Sequence, residues 1–521
     1  MSESFPLTPF EELMLHRDSV PFPCHCFVRL WFRGQIADHV LESALAAALK
    51  HHPLLTATID CSAPRPRWKL SEEHRIRIEQ QPGCSGRFFP QTFHIPIESQ
   101  PGLRIFAERS SDSVTLLVQF HHACCDGLGI MYFLGDYLKA CRTLSSPDSG
   151  LAAASSIAPI TSITPAAGID DRAAAESSCV ATQGTDSQCS DPREDIKHQQ
   201  VIRSQLQRSQ LQTRGDTGVG LSEWLRLLPA HILGLYRPWN FFRRRVQKIL
   251  PDDESASASG ITENTSECSL ISTVLPPEVA AAWLKSAKKR SVSANDLLLK
   301  DVLAAIVRLR KKLNSRSGDG WIRLLVPINS RPNSDGVTMA ANSTTMIFID
   351  RRETDVCSSL ENDHGDLNLL RGLSREMHSI RKHRLGLSFL LSLKLLQIIP
   401  GGLKRFAGGK RQDLTAVVTN LGRVFTDLND DTNGKSASRS FQCGNATLER
   451  VDVAAPVSVA TDISISAATY SDQISLTLQF GSKALSREQA SFFLSELTDQ
   501  IRSSAGLTVS SSPDQKGRDG G

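Results

Sequence analysis

Between Ser113 and Leu144 the chain changes its pattern abruptly, and that change restricts the fold more than any other feature. Val114, Leu116, Val118 and Phe120 alternate with Thr115 and Gln119, the period of a half-buried strand, and the run ends on His121 and His122. Ala123-Cys124-Cys125-Asp126-Gly127 follows, and Leu128 to Leu144 reads as a helix. A strand that meets a helix through a short polar turn belongs to an α/β fold, and it aims side chains from a rigid edge into a cleft. A paired histidine, an acid and a glycine at such an edge mark where chemistry is expected. Those residue types at fixed spacing arise by chance on the order of once in a thousand sequences of this length. His51-His52 is an internal control. It ends the helical stretch Val40 to Lys50, Pro53 follows it, no Asp-Gly comes after, and the pair reads as a helix terminus.

The chain divides by composition. From 145 to 216 it is rich in Ala, Ser, Thr, Gln and Pro and poor in aromatics, so it cannot bury enough apolar surface to offset the entropy of ordering it, and a disordered linker is expected. That leaves an N-terminal lobe over 1–144, an amphipathic basic helix and connector over 217–266, a C-terminal lobe over 267–505 and a disordered tail over 506–521. With 521 residues, 40% hydrophobic and 22% charged, the chain can bury two ordinary cores. In the C-terminal lobe, Ser269 to Val274, Trp321 to Val326, Thr344 to Ile349, Thr415 to Thr419 and Ile474 to Phe480 are predicted strands. Helices are predicted from Pro276-Pro277 to Lys289, from Asn295 to Leu313, and after Ser486, whose spacing to Gln489 is that of a capping box.

Charge and cysteine usage exclude some classes. A net charge of +4 lacks the concentrated basic surface that phosphate backbones require, so nucleic acid is not expected as a partner. The 12 cysteines form no CxxC pair and no grouping with histidine that suits a metal, so no metal is expected and reduced thiols in a cytoplasm are. Met1 to Glu12 is acidic and polar where a signal peptide would be basic and then apolar. The expectation is a cytoplasmic monomer, with peripheral membrane contact left open by two amphipathic stretches. Leu221 to Leu250 mixes Trp and Leu with six Lys and Arg from Arg226 to Lys248, and it reads equally as an interfacial helix or as packing between lobes. Leu385 to Ile399 is nearly all apolar, too short to span a bilayer, and is expected to pack in the core.

His121 to Gly127 matches the HHxxxDG signature of the chloramphenicol acetyltransferase-like superfamily, which includes nonribosomal-peptide condensation domains, wax-ester and alcohol acyltransferases and plant acyltransferases. Further blocks resemble the same superfamily: Pro6 to Glu11, His52-Pro53-Leu54-Leu55, Ser293 to Leu298, Val326-Pro327-Ile328-Asn329-Ser330-Arg331-Pro332, Asn342, and Thr419-Asn420-Leu421-Gly422. They cover roughly two thirds of the chain. The plant DFGWG block has no counterpart, since Gln479-Phe480-Gly481 lacks both Asp and Trp, and the alcohol or wax-ester branch is the one resembled. The resemblance implies two similar α/β lobes, each a mixed sheet with flanking helices, separated by a channel.

It also implies roles. An alcohol or amine attacks a thioester only once its proton is removed, and imidazole is the side chain matched to that task at neutral pH. The resemblance gives the task to His122, with acyl-CoA or an acyl-phosphopantetheine carrier as co-substrate, no bound cofactor and no covalent acyl-enzyme. Asp126 would pair with Arg331 and hold the loop, Gly127 would allow a tight turn, and His121 would support the loop. Thr419 and Asn420, at a strand-end turn, are candidates for contact with the oxyanion or substrate. A serine relay is not expected, because no GxSxG elbow precedes a helix. Cys124 and Cys125 read as packing residues. The acceptor would be a small molecule or a lipid, with a carrier protein as a further expected partner. Three readings follow: a CoA-dependent acyltransferase, a condensation-type enzyme with a carrier-bound donor, and a non-catalytic binding protein of the same fold.

Overall fold

A computed structural model describes residues 4–145 apart from 71–74 and 82–93, then 209, 211–212, 226–227 and 244–249, then 268–507 apart from 314–319, 332–338, 362, 410–412, 429–439, 459, 462 and 482–483. The first part carries β1 (Ser4–Pro6), α1 (Pro9–Arg17), β2 (His25–Arg33), α2 (Asp38–Leu49), β3 (Thr58–Asp60), β4 (Arg67–Lys69), β5 (Ile78–Gln81), β6 (Leu103–Arg109), β7 (Ser113–His121) and α3 (Gly127–Ser145). After the break come β8 (Cys268–Leu275), α4 (Pro277–Lys289), α5 (Ala294–Lys312), β9 (Trp321–Asn329), β10 (Thr344–Arg352), α6 (Glu353–Ser359), α7 (Asp363–Lys382), α8 (Gly386–Ile398) and α9 (Gly402–Ala407). The chain finishes with β11 (Ala416–Arg423), β12 (Gln442–Cys443), β13 (Ala446–Ala454), β14 (Ile463–Tyr470), β15 (Gln473–Gly481) and α10 (Arg487–Ser504).

Two six-stranded sheets result, ordered β12-β13-β2-β7-β6-β5 and β10-β9-β11-β14-β15-β8, beside a small sheet of β1, β4 and β3. Both large sheets are mixed: β5 runs parallel to β6, and β11 parallel to β9 and β14, while the other pairs are antiparallel. The expected α/β class with helices flanking two mixed sheets is what the chain adopts. Inward residues of β2, β6 and β7 pack with α2 and α3 in one core, and those of β9, β14 and β15 pack with α4, α5 and α10 in a second. Helix starts follow local chemistry. Thr8 and Glu11 form a capping box ahead of α1, Ser293 and Asp296 one at α5, and Ser486 and Gln489 the predicted one at α10.

The division at the linker differs in one respect. β12 and β13 belong to the stretch assigned to the C-terminal lobe, yet β13 pairs antiparallel with β2 in the first sheet, from Thr447 opposite Arg33 to Ala454 opposite Phe27. Without it β2 would present an unpaired edge of backbone N–H and C=O groups. Asp452 of β13 then ties the sheets together, accepting from Trp31 Nε1 at 2.9 Å and Ser272 Oγ at 3.3 Å. The expected linker over 145–216, basic helix and connector over 217–266 and tail over 506–521 lie, but for a few residues, outside the described ones. α8 does not meet the expectation of full core packing: Leu387 and Leu393 are buried, while Leu391, Leu395 and Ile398 lie on the surface.

Candidate active site

β7 delivers the motif. His121 is its last residue and faces His25 of β2 across the ladder. The main chain is pinned on both sides, His121 N donating to Gly102 O and His122 N to Cys24 O, each at 2.8 Å. The turn is then closed by the start of α3, where Asp126 caps the helix by accepting from Gly129 N at 2.8 Å.

Asp126 is the hub of the site. Its buried carboxylate takes a bidentate pair from Arg331, with Nη2 to Oδ1 at 2.8 Å and Nη1 to Oδ2 at 3.0 Å. Ser343 N and Thr344 Oγ1 donate to Oδ2 at 2.8 and 2.9 Å. Burial alone would raise the carboxyl's pKa, but the Arg331 guanidinium and these donors outweigh it and hold the group below the usual carboxylate range. Arg331, Ser343 and Thr344 all belong to the second part of the chain, so Asp126 joins the loop to the ends of β9 and β10.

The same segment grips the loop's backbone. Asn342 Nδ2 donates to His122 O at 2.9 Å and Ala123 O at 2.8 Å. Close approach requires a glycine at 129, where a Cβ would stand 2.8 Å from Ala341 O, whereas a Cβ on Gly127 would meet only the end of the Leu421 side chain, at 2.9 Å. In sequence Asn342 and Leu421 stand only in the resemblance blocks, Thr344 only as the start of a predicted strand, and Ser343 in no role. Hydroxyl and amide side chains are common in turns, and only the fold brings these to the motif.

The histidines differ in how they are held. His121 Nδ1 accepts from Ala123 N at 3.0 Å, which puts the proton on Nε2, facing Asp18 Oδ2 at 3.4 Å. Asp18 also accepts from His94 Nε2 at 2.8 Å and Cys24 N at 2.7 Å. Burial works against its ionisation, yet His121 and the Cys24 amide prevail and lower its pKa to about 2. His25 is engaged at both ring nitrogens, by Gln119 at 2.9 Å and Ile95 N at 3.1 Å. Asp18, His25 and His121 have the residue types of a cation site, but a cation there would have to displace these bonds. His52 does follow the end of α2, its N–H donating to Leu49 O, but it is also fully buried and bridges elements, with Nε2 at 3.3 Å from Asp136 Oδ2 and Nδ1 accepting from Ala340 N at 2.9 Å.

His122 is held differently. Its ring is half-buried, Phe10 of α1 packs edge-on against it at 5.8 Å between centroids, and Nδ1 is buried without a well-formed hydrogen bond to any described residue. Burial lowers its pKa below the usual histidine value, against smaller opposing effects from backbone groups of His122 and Cys125 and from the Asp126 carboxylate. Cys124 and Cys125 are fully buried, and burial pushes both thiols well up, so neither is a thiolate at neutral pH.

β11 separates the remaining two candidates. Val417 and Leu421 pack in the core that holds the motif, while Ala416 and Val418 pack in the other, so alternation puts Thr419 on the motif side. Thr419 Oγ1 is buried with no hydrogen-bond partner among the described residues. Asn420 points the other way and lines a cavity of about 290 Å³ with Leu298, Leu476 and Ile501.

No protein-family model and no curated protein matches the chain. Solved structures do. The first condensation domain of the calcium-dependent antibiotic synthetase superposes with a TM-score of 0.58 at 11% identity, covering 96% of each chain. The epimerization domain from the third module of tyrocidine synthetase B gives 0.56 at 12% identity, over 97% of this chain and 98% of that one. Polyketide synthase associated protein 5 from Mycobacterium tuberculosis gives 0.53 at 12% identity, over 96% and 100%. The chain has the condensation-domain fold. Nearly full coverage in both directions means that the likeness runs over both sheets and is not confined to one of them.

Proposed function

We propose that the chain is an acyltransferase that moves an acyl group from a thioester to an alcohol or amine, with His122 as general base. The observation that carries this reading is the contrast among the histidines: His25 and His52 are engaged at both ring nitrogens, His121 accepts at Nδ1 and faces Asp18 with Nε2, whereas His122 has no hydrogen-bond partner at Nδ1 among the described residues and burial lowers its pKa. His122 Nε2 would take the proton of the acceptor as its oxygen or nitrogen bonds to the acyl carbon. The carbon–sulfur bond then breaks, and the imidazolium returns the proton to the leaving thiolate. Thr419 Oγ1 is suited to donate to the oxyanion of the tetrahedral intermediate. Asp126, Arg331 and Asn342 position the loop without touching the reacting atoms.

The donor would be acyl-CoA. The likeness to condensation domains supports equally a donor carried on the phosphopantetheine of a separate carrier protein. Thiol release measured with a panel of acyl-CoA thioesters and with a loaded carrier separates the two, and release with neither, across alcohol and amine acceptors, would leave the binding-protein reading. His122→Ala is expected to lower turnover by about a hundredfold to ten-thousandfold with the fold intact by circular dichroism. Native turnover in that variant would remove the proposal.

A further inference from the structure

The apolar residues of α8 are spread around its circumference, interrupted by Ser388, Ser392, Lys394 and Gln397, a composition suited to a helix covered on more than one side. Only one side is covered. Leu387 and Leu393 are buried, Phe389 packs edge-on against Phe348 of β10, and Gln397 reaches Glu12 of α1 at 2.6 Å. The opposite side shows water Leu391, Leu395, Ile398 and Ile399, at 43, 56, 70 and 50% exposure, and α9 adds Phe406 at 36%. Leu391, Leu395 and Ile398 follow one another at four and three residues, so they form a single stripe. Contiguous exposed apolar surface of this kind marks an interaction site.

The charges around it say what it meets. Between Arg381 and Gln412 the chain carries eight Lys and Arg and no Asp or Glu. Arg381, Lys382, Arg384, Lys394, Lys404 and Arg405 are all exposed. Arg381 is paired with Asp296 of α5 at 3.5 Å and Glu12 of α1 meets Gln397, but this stretch itself contributes only cations beside its aliphatic side chains, which complements a surface that is apolar just beneath a layer of negative charge. No helix among the described residues is long and apolar enough to cross a membrane, so contact would be from one side only.

We propose that the α8–α9 face docks on an anionic lipid surface, with Leu391, Leu395, Ile398 and Phe406 entering the headgroup boundary and the flanking cations meeting lipid phosphates and carboxylates. α1 links this face to the motif. Its Glu12 and Arg17 contact α8 and α9, the latter as a guanidinium 5.8 Å from the Phe406 ring, while its Phe10 packs on His122. The docking stands apart from the acyl-transfer reading; only the corollary, that the acceptor is drawn from the same lipid surface, rests on it.

Flotation of the full chain with vesicles of phosphatidylcholine alone, and of phosphatidylcholine with an equal part of phosphatidylserine, tests the docking. The wild type is expected to float with the phosphatidylserine vesicles, and added salt to weaken its binding. Leu395→Glu with Ile398→Glu should lower partitioning about a hundredfold, about tenfold for each side chain lost from the boundary. Lys404→Glu with Arg405→Glu should lower it on the phosphatidylserine vesicles and not on phosphatidylcholine. Circular dichroism should match the wild type in both variants, since all four side chains are exposed. Turnover of a water-soluble thioester and alcohol should also be unchanged, which keeps failure of docking distinct from failure of the acyl-transfer reading. The proposal is overturned if the wild type stays with the dense fraction on both vesicles, or if the folded variants float like it. It is overturned equally if light scattering shows a dimer that Leu395→Glu dissolves, which would give the face to a second copy of the chain.

Discussion

At the scale of single residues, protonation sets the pH behaviour. Burial lowers the pKa of His122, and a general base works only in its neutral form, so activity should persist below the usual histidine pKa of about 6.5 and fall only at lower pH. A kcat/KM profile whose acid limb breaks above about 7 would contradict the assignment. Asp126 and Arg331 act on stability instead. Asp126→Asn leaves a buried guanidinium without its counter-charge and should cost about 3 to 5 kcal/mol, read as a shift in the urea midpoint, before any effect on the base is considered. The pairing was legible because both residues stand in motifs of fixed residue type. The embrace of the loop by Asn342, Ser343 and Thr344 was not, since nothing in a lone amide or hydroxyl says which carbonyl or carboxylate it will reach.

At the scale of elements, patterns of period two and period 3.6 were enough to locate β7, α3, β8, β9, β10, β15 and α10 to within a few residues, because each alternation or apolar stripe coincides with a buried face. What a strand's pattern does not tell is which core each face enters. Thr419 and Asn420 are neighbours in sequence and were grouped as one candidate contact, yet β11 lies between two cores and sends them to opposite sides. Thr419→Val should therefore lower kcat by on the order of a hundredfold if its hydroxyl serves the oxyanion, with folding preserved. Asn420→Ala should leave kcat within about twofold of the wild type by the same criterion, and a reversed ranking in the thiol-release assay would reassign the donor. α8 failed for the converse reason. An apolar run predicts burial, and sequence does not show that only one side of the helix has a neighbour.

At the scale of the whole molecule, composition separated two halves, but the hydrogen-bonded ladder does not respect the break. A partner strand more than 300 residues away carries no local signal, so the exchange of β13 into the first sheet could not be read from residues 446–454 alone. Residues 1–145 expressed by themselves should accordingly lack a cooperative urea transition and tend to aggregate through the exposed edge of β2, whereas the full chain should unfold cooperatively. A stable, soluble fragment with a sharp transition would show that β13 is dispensable.

Translation runs from one end only, and β13 makes that direction matter. When β7 leaves the ribosome the first sheet still lacks two members, β12 and β13, and Ala454 is some 330 residues behind it. At about 5–20 residues per second, the nascent chain must shield an unfinished β2 for on the order of tens of seconds. A chaperone, or a transient strand mate from the chain itself, would have to stand in during that interval.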